Sequence, residues 1–558
     1  MALLRIYIYH LLFILAGIVY IIGLFNIRLM DVDASQYASI SFEIFKSGDF
    51  LHVKDHFNDY LDKPPLLFWL SALSFKLFGV HDWAYRLPSF LSSVMGAWAT
   101  FKLAKILYNR QSGLNAALMI FTCQAFFLFN HDVRTDTLLT NFVVFSLWQL
   151  VAFVTTQKLK HIIFGFTGIG LAMLAKGPIG IIVPVFSLGS WLLVKRDFKS
   201  IFKWQWFVGL IITGIVLFPM CLGLYEQFDL HPEKIVNGRT GVSGLRFFFW
   251  EQSFGRITGE NVWKNDAGYF FFTHTFLWSF LPWAFLAVAA FFTRFYKVFA
   301  EKGYYKKQEF LTLGGFLLSF VSLSLSQYKL PHYVFVIYPL AAIFTAGWLN
   351  ELAEKKEKLF SLTGKIQNAF CFVLLAAVIV INTWFFPLYN KLPVLIVSVL
   401  ALAFIVLFAG VKENTATSPV YFSAATIIFI NLLLNLNFYP SLLKYQAGSV
   451  AGDYLAENHI PAEKCFSVRV SPYSLSFYSK NLFRYINEDM LADSIAKYSD
   501  CWVFTDKEGY DELKKRNYKF ILEKKIEDYE ITGLTLPFLN PATRPKELKY
   551  AYLLQLSN

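Results

Sequence analysis

Two carboxylates, Asp31 and Asp33, follow directly on an apolar run that closes near residue 28. An aspartate at a membrane face is costly unless it is solvated or paired. The pair therefore reads either as a solvated span end or as an acid or base placed for chemistry. Lys63-Pro64-Pro65 comes next. Proline is favoured at a helix start, which sets Lys63 just before a helix N-terminus, where free amides and an ammonium can together hold a phosphate. A lysine snorkelling at the lipid boundary is the plainer alternative. Arg134-Thr135-Asp136 opens a later run, and Asp136 or Thr135 can cap that helix. His131 and Asp132 lie close by, but a third ligand is missing, so no metal centre is expected. The loop 225–268 carries Arg239, Arg246, Glu251, Arg256 and Glu260, charges that can pair among themselves. Tyr328-Lys329-Leu330-Pro331-His332-Tyr333 adds a lysine and two tyrosines, tyrosine being also a common interfacial belt residue.

These groups suit one kind of reaction. A carboxylate can take the proton of an attacking hydroxyl, while lysine and arginine stabilise a departing phosphate. A transporter or flippase would tend to place ionisable residues mid-span beside broken helices; here the apolar runs are almost free of charge. A glycan ligase or polymerase, or a noncatalytic assembly protein, remains an alternative.

The elements that must position these residues are membrane spans. Of the 558 residues, 56% are hydrophobic and only 16% charged, with 19% aromatic, against about a quarter charged in soluble domains. Runs of the length needed to cross a bilayer fall near 7–28, 87–105, 114–131, 137–156, 161–175, 178–194, 204–223, 269–293, 308–326, 332–349, 367–388, 392–411 and 419–438. The fold class expected is an all-α polytopic membrane protein of about thirteen spans, 1–440, followed by a small extracytoplasmic α/β domain, 441–558. The first run, after Arg5, lacks a small-residue cleavage site and reads as a retained span. Short-loop basic residues set the orientation: Lys102, Lys105 and Arg110; Lys158 and Lys160; Lys195 to Lys203; Arg294 to Lys307; Lys355 to Lys365; and Lys412 occupy alternating loops, which become cytoplasmic. This requires a hairpin broken at Lys176-Gly177-Pro178. The net charge of +12 is thereby explained by loops, and no nucleic-acid partner is expected. The loop 29–86, the turn near 132–136, the loop 225–268 and Gln327–His332 then share the outer face. Within 29–86, an interfacial helix is expected over Leu66 to Val80 and another over Ser35 to Lys46, ended by Gly48. The C-terminal region alternates helical (448–458, 491–497, 506–516) and strand-like (465–470, 501–505, 519–522, 550–554) patterns. Cys465 and Cys501 read as small buried strand residues, with a disulfide the lesser alternative.

Asp33-Ala34-Ser35-Gln36-Tyr37-Ala38, Ser47-Gly48-Asp49, Asp62-Lys63-Pro64-Pro65-Leu66, Phe68-Trp69-Leu70, Phe78-Gly79 and Arg86-Leu87-Pro88 stand in order. Together they resemble the start of the ArnT-like and protein-O-mannosyltransferase-like enzymes, multispan glycosyltransferases of the C type (GT-C). Asp136-Thr137-Leu138-Leu139-Thr140, Lys176-Gly177-Pro178 and Lys329-Leu330-Pro331-His332-Tyr333 fit later blocks. The resemblance covers roughly 1–440. It implies inverting transfer of a sugar from a polyprenyl-phosphate carrier to a glycan, lipid or protein acceptor at the outer face of a bacterial inner membrane. It places Asp33 as the catalytic aspartate and Asp136 as the second acidic position. Lys63, Arg256, Lys329 and Tyr333 become carrier-phosphate contacts, and Asp31, Tyr37, Asp62 and His332 further candidates. The lipid carrier delivers the sugar, so no other cofactor is required, and a divalent metal is left open. Ala34 and Gln36 depart from the family pattern, which leaves sugar and acceptor unassigned.

Overall fold

The computed structural model describes residues 2–557 apart from 237, 254, 259, 261–264, 266, 302–309, 389–391, 393–395, 397, 400–417 and 487–499. The first helices are α1 (Ala2–Asn26), α2 (Asp33–Ser47), α3 (Leu66–Phe78), α4 (Asp82–Leu107), α5 (Arg110–Phe121), α6 (Gln124–His131), α7 (Thr135–Thr156), α8 (Leu159–Lys176) and α9 (Ile179–Lys195). Among the described residues eight helices are long and apolar enough to cross a membrane, and nine if α5 and α6, bent by 46°, form one span. Among the described residues the expected thirteen is not confirmed. The run at 178–194 is the 17-residue α9, and that at 308–326 is the 14-residue Leu311–Ser324. The run at 269–293 splits into Phe271–Ser279 and Ala284–Ala300 on either side of Pro282, which lacks the N–H a continuous helix needs. The expected span 392–411 and the basic residues Lys302, Lys306, Lys307 and Lys412 fall largely or wholly outside the described residues.

The hairpin at Lys176-Gly177-Pro178 is present. Gly177 ends α8 at φ +92°, backbone that favours glycine. A Cβ on Gly180 would stand 2.7 Å from the backbone of both Ala172 and Met173. In a continuous helix residues eight apart are about 12 Å apart, so the chain has turned back on itself.

One buried cation fixes where α1 releases the chain. The Arg86 side chain, fully buried, donates to the carbonyls of Leu24, Ile27 and Arg28 and to that of His131 (2.5–3.1 Å). It thus satisfies the orphan carbonyls that end α1 and α6. Beyond α1 the chain enters α2, which stops at Gly48 (φ 74°), whose N–H closes on Ile44 O. A two-stranded hairpin, β1 (Lys54–Asp55) and β2 (Asn58–Asp59), follows; the sequence pattern gave no sign of it. α3 starts after Pro64-Pro65 and ends at Gly79, close to the expected interfacial segment.

The C-terminal segment forms a five-stranded sheet in the order β4-β3-β5-β7-β6, with β3 Cys465–Val468, β4 Arg484–Tyr485, β5 Asp500–Asp506, β6 Lys519–Asp528 and β7 Lys549–Ser557. Strand alternation sorts its core. Val503, Tyr552 and Leu554 pack with Tyr510 and Leu513 of the helix Lys507–Lys515 on one face, while Trp502, Phe504 and Leu553 meet Ala447, Ala451 and Leu475 on the other. Cys465 lies opposite Trp502 in the parallel register, so it shares that face, whereas Cys501 points to the other. This explains why both are free, buried thiols. The expected helix 491–497 lies outside the described residues.

Asp31 ties this domain to the membrane part. It accepts from Ser35 Oγ and from Ser474 Oγ (2.5 Å), and its N–H donates to Gln446. It is therefore not a freely solvated span end. Burial pushes its carboxyl up to about 6 against the two hydroxyls, with the charge of Asp528 adding to the rise.

Two outcomes follow from this geometry. Gly180→Val should cost about 1–3 kcal/mol by overpacking and lower the thermal-unfolding midpoint of the purified protein; an unchanged midpoint would show that α9 can move away. Folded Asp31 keeps its proton between the ordinary value near 4 and about 6. Its contribution is thus fully present below about pH 4 and lost as pH rises through about 6. Asp31→Asn should raise the midpoint near neutral pH, a stabilisation of no more than about 3 kcal/mol for a carboxyl moved from near 4 to about 6. It should have no effect near pH 4, and equal shifts at both pH values would contradict the assignment.

Candidate functional site

Four helix ends meet where α2 begins. Asp33 opens α2, at the favourable positive end of the helix dipole. Its carboxylate pairs with Arg134 Nη1 and is about one-third exposed. Arg134 also grips Asp132 at 2.8 Å. Burial opposes its charge, but Asp132 and Asp33 outweigh that and hold the guanidinium firmly protonated. The same Nη1 lies 3.3 Å from His332 Nδ1, and His332 Nε2 lies 3.7 Å from Asp136 Oδ2. Asp33, Arg134, His332 and Asp136 thus form a continuous line of charge and imidazole.

Asp136 does not cap α7. Arg134 occupies the cap position, and no side chain closes the turn. The Asp136 side chain is only 2% exposed and pairs through Oδ1 with Lys176, from the last turn of α8. Its Oδ2 has no hydrogen-bond partner among the described residues. The Lys176 ammonium also stands 3.9 Å from the centre of the Tyr333 ring. Lys63 pairs with Asp62, whose backbone carbonyl takes a hydrogen bond from Gln252. Lys63 is accordingly held by a carboxylate rather than reaching for a lipid boundary.

A cavity of about 410 Å³ opens between these groups. Lys63, Asp136, Lys176, Gln252 and Tyr333 form its polar part, and Ile179, Ile182, Val185, Phe186 and Leu323 its apolar walls. The mechanism of assembly is plain: α8 ends in a lysine, the chain reverses at Gly177, and α9 returns with an apolar face beside that lysine.

Not every candidate joins this cavity. Lys329 is buried, donates to Ala267 O at 2.8 Å, and is absent from the cavity lining. Tyr37 is buried against Phe68; burial, then the charges of Asp33 and Asp62, push its phenol well above its usual value. Asp31 faces the C-terminal domain. Arg256 lies in the short helix Gly255–Thr258, but its side chain is outside the described residues. Arg239 and Arg246 pair with Glu251. Among the described residues no three His, Cys, Asp or Glu side chains converge as a metal cluster. Lys176, Arg134 and Gln252 were not singled out for the site from sequence. The signal for Lys176 was available: a lysine in the last turn of an apolar helix, directly before Gly-Pro.

Residues 62–222 match the sequence profile of the family described as dolichyl-phosphate-mannose-protein mannosyltransferase. An uncharacterized protein of Aquifex aeolicus is 26% identical over 358 residues, 64% of this chain and 65% of that one. A Serratia proteamaculans protein named undecaprenyl phosphate-alpha-4-amino-4-deoxy-L-arabinose arabinosyl transferase is 23% identical over 441 residues, 76% of this chain and 75% of its own. The crystal structure of ArnT from Cupriavidus metallidurans bound to undecaprenyl phosphate superposes with a TM-score of 0.74 at 18% identity, covering 98% of this chain and 97% of that one.

The Lys176–Asp136 pair has a measurable consequence. Lys176→Gln leaves a buried carboxylate with its cation removed, which should cost about 3–5 kcal/mol. The double variant Lys176→Met with Asp136→Leu should recover most of that loss in thermal unfolding. A double variant no more stable than the single one would show that the pair is not the source of the cost.

The matched profile, the curated relatives and a fold shared from end to end agree with the ordered motifs in what this chain is similar to: the ArnT-like and protein-O-mannosyltransferase-like membrane glycosyltransferases.

Proposed function

We propose that this protein is an inverting glycosyltransferase that takes its sugar from a polyprenyl-phosphate carrier, in a bacterial inner membrane. The observation that carries the reading is the cavity that sets two lysines, Lys63 and Lys176, at the polar end of an apolar trough. A long-chain phosphate has that same division, an anionic head on a hydrocarbon tail. The relatives named for undecaprenyl-phosphate-linked sugar transfer support the carrier class. The neighbouring fold seen with undecaprenyl phosphate supports it as well.

In this reading the acceptor hydroxyl attacks the anomeric carbon from the face opposite the phosphate. Asp33, the more exposed of the two carboxylates, takes the hydroxyl proton as the new C–O bond forms. The bond from the anomeric carbon to the phosphate oxygen breaks, and the electron pair leaves with the phosphate. Lys63 and Lys176 neutralise that developing charge, with Tyr333 beside them and Arg256 and Lys329 supplying further positive charge. Asp136 sets the position of Lys176, and Arg134 orients Asp33. In this reading the Asp33 end of the bundle, and the C-terminal domain with it, face the periplasm, an orientation that the basic loops support. Sugar and acceptor stay unnamed.

Asp33→Asn should lower the transfer rate by about 10²–10⁴-fold while the protein unfolds at the same temperature and still binds undecaprenyl phosphate. Transfer near the unmodified rate in that variant would end the assignment. Lys63→Ala should instead weaken carrier binding.

A further inference from the structure

A second cavity, of about 380 Å³, lies at the other end of α2. Its walls are the last turns of α2, the loop into the β1–β2 hairpin, and Leu482 of the C-terminal domain. Glu43, Lys46, Asp49, His52, Lys54 and Phe57 line it, and none of them belongs to the site around Asp136. From Asp33 to Glu43 the helix rises about 15 Å.

Glu43 is the informative residue. It is 6% exposed. Its Oε1 accepts from the N–H of Phe57 at 3.0 Å, and its Oε2 has no hydrogen-bond partner among the described residues. A buried polar atom without a partner is costly, and a ligand hydroxyl in this cavity would relieve it. Phe57 supplies the second element. It and His56 form the two-residue hairpin turn at φ 70° and 50°, positions that ordinarily go to Asn-Gly. The turn is held by His56, which bonds Asp55 through Nδ1 (2.7 Å) and Ser476 through Nε2 (2.9 Å). Phe57 is left half-exposed at the cavity, with the Arg484 guanidinium 5.7 Å from its ring centre.

The charges around the cavity are mixed. Glu43 and Asp49 are carboxylates, Lys46 and Lys54 are ammonium groups, and His52 lies between Asp49 (3.0 Å) and Glu226 (3.4 Å). A phosphate would meet both carboxylates, and a metal cation both lysines. A neutral polyhydroxylated ring satisfies all of them, since its hydroxyls both donate and accept. Its C–H face has the exposed Phe57 ring to lie against.

We infer that this cavity is a subsite for a neutral sugar ring of the acceptor, which makes the acceptor a glycan long enough to reach from Phe57 to Asp33. The inference rests on the glycosyl-transfer reading and narrows its acceptor class.

The test uses the full chain in phospholipid nanodiscs free of sugar detergents, with maltotriose and chitotriose as probes in saturation-transfer NMR titrations. At least one trisaccharide should bind. Glu43→Gln and Phe57→Ala should each weaken binding by about tenfold, and Lys54→Ala, at an exposed position, should weaken it measurably in a protein whose unfolding midpoint is unchanged. Binding of undecaprenyl phosphate should stay the same in all three. Absence of binding by both trisaccharides would overturn the subsite, as would binding indifferent to Glu43→Gln and Lys54→Ala, or displacement of the sugar by equimolar inorganic phosphate. The two readings fail separately. Asp33→Asn should bind the trisaccharide as the unmodified protein does, so active Asp33→Asn would remove the transfer reading, whereas unaltered sugar binding in the cavity variants would remove only the subsite.

Discussion

Charge at the edge of an apolar bundle must be paired, and the rest of this site depends on how that pairing is arranged. Arg134 binds Asp33 and Asp132 together, and Lys176 binds Asp136. The Arg134–Asp33 and Lys176–Asp136 pairs join segments 101 and 40 residues apart. A carboxylate with 2% exposure is costly to bury without a counter-charge, so Asp136 obliges the end of α8 to sit at the start of α7. That in turn places the Gly177 reversal, and the apolar face of α9, beside the lysine. The cavity is the space left by this obligation.

The same logic extends to the chain between α1 and α2. Arg86 gathers the last carbonyls of α1, and this fixes the point from which Asp31 and Asp33 depart. The two aspartates then diverge in role because of what surrounds them. Asp31 turns to Ser35 and Ser474 and holds the C-terminal domain. Asp33 turns to Arg134 and stays partly exposed. Two residues of separation on entering a helix put their side chains on different faces, so one carboxylate is tied to the C-terminal domain and the other is left partly accessible.

α2 gains a further meaning from its length. Its first turn presents Asp33, and its later turns present Glu43 and Lys46 to the second cavity. A rigid helix with Asp33 at one end and a mixed-charge pocket at the other sets a fixed distance between them. The strained hairpin turn, anchored by His56 to Ser476, means that the C-terminal domain takes part in shaping that pocket.

Much was legible in the sequence because it follows from local rules. Gly48 and Gly79 as helix ends, Pro64-Pro65 as a helix start, and the break at Gly177-Pro178 all act over a few residues, and the structure keeps each of them. The alternating residues of β5 and β7 were likewise readable as strands. The ordered motifs carried the resemblance that the comparisons repeat. What the sequence could not determine depends on partners distant along the chain. Asp136 looks like a helix cap until Lys176, 40 residues on, is brought to it. Lys329 is one lysine of a turn until the carbonyl of Ala267, 62 residues back, takes one of its ammonium protons. Cys465 and Cys501 look able to pair until the strand register turns them to opposite faces. The sequence determined which residues carry charge and where helices begin and end; only the tertiary structure decided which charges neutralise one another, because pairing is a matter of distance in space and not of spacing along the chain.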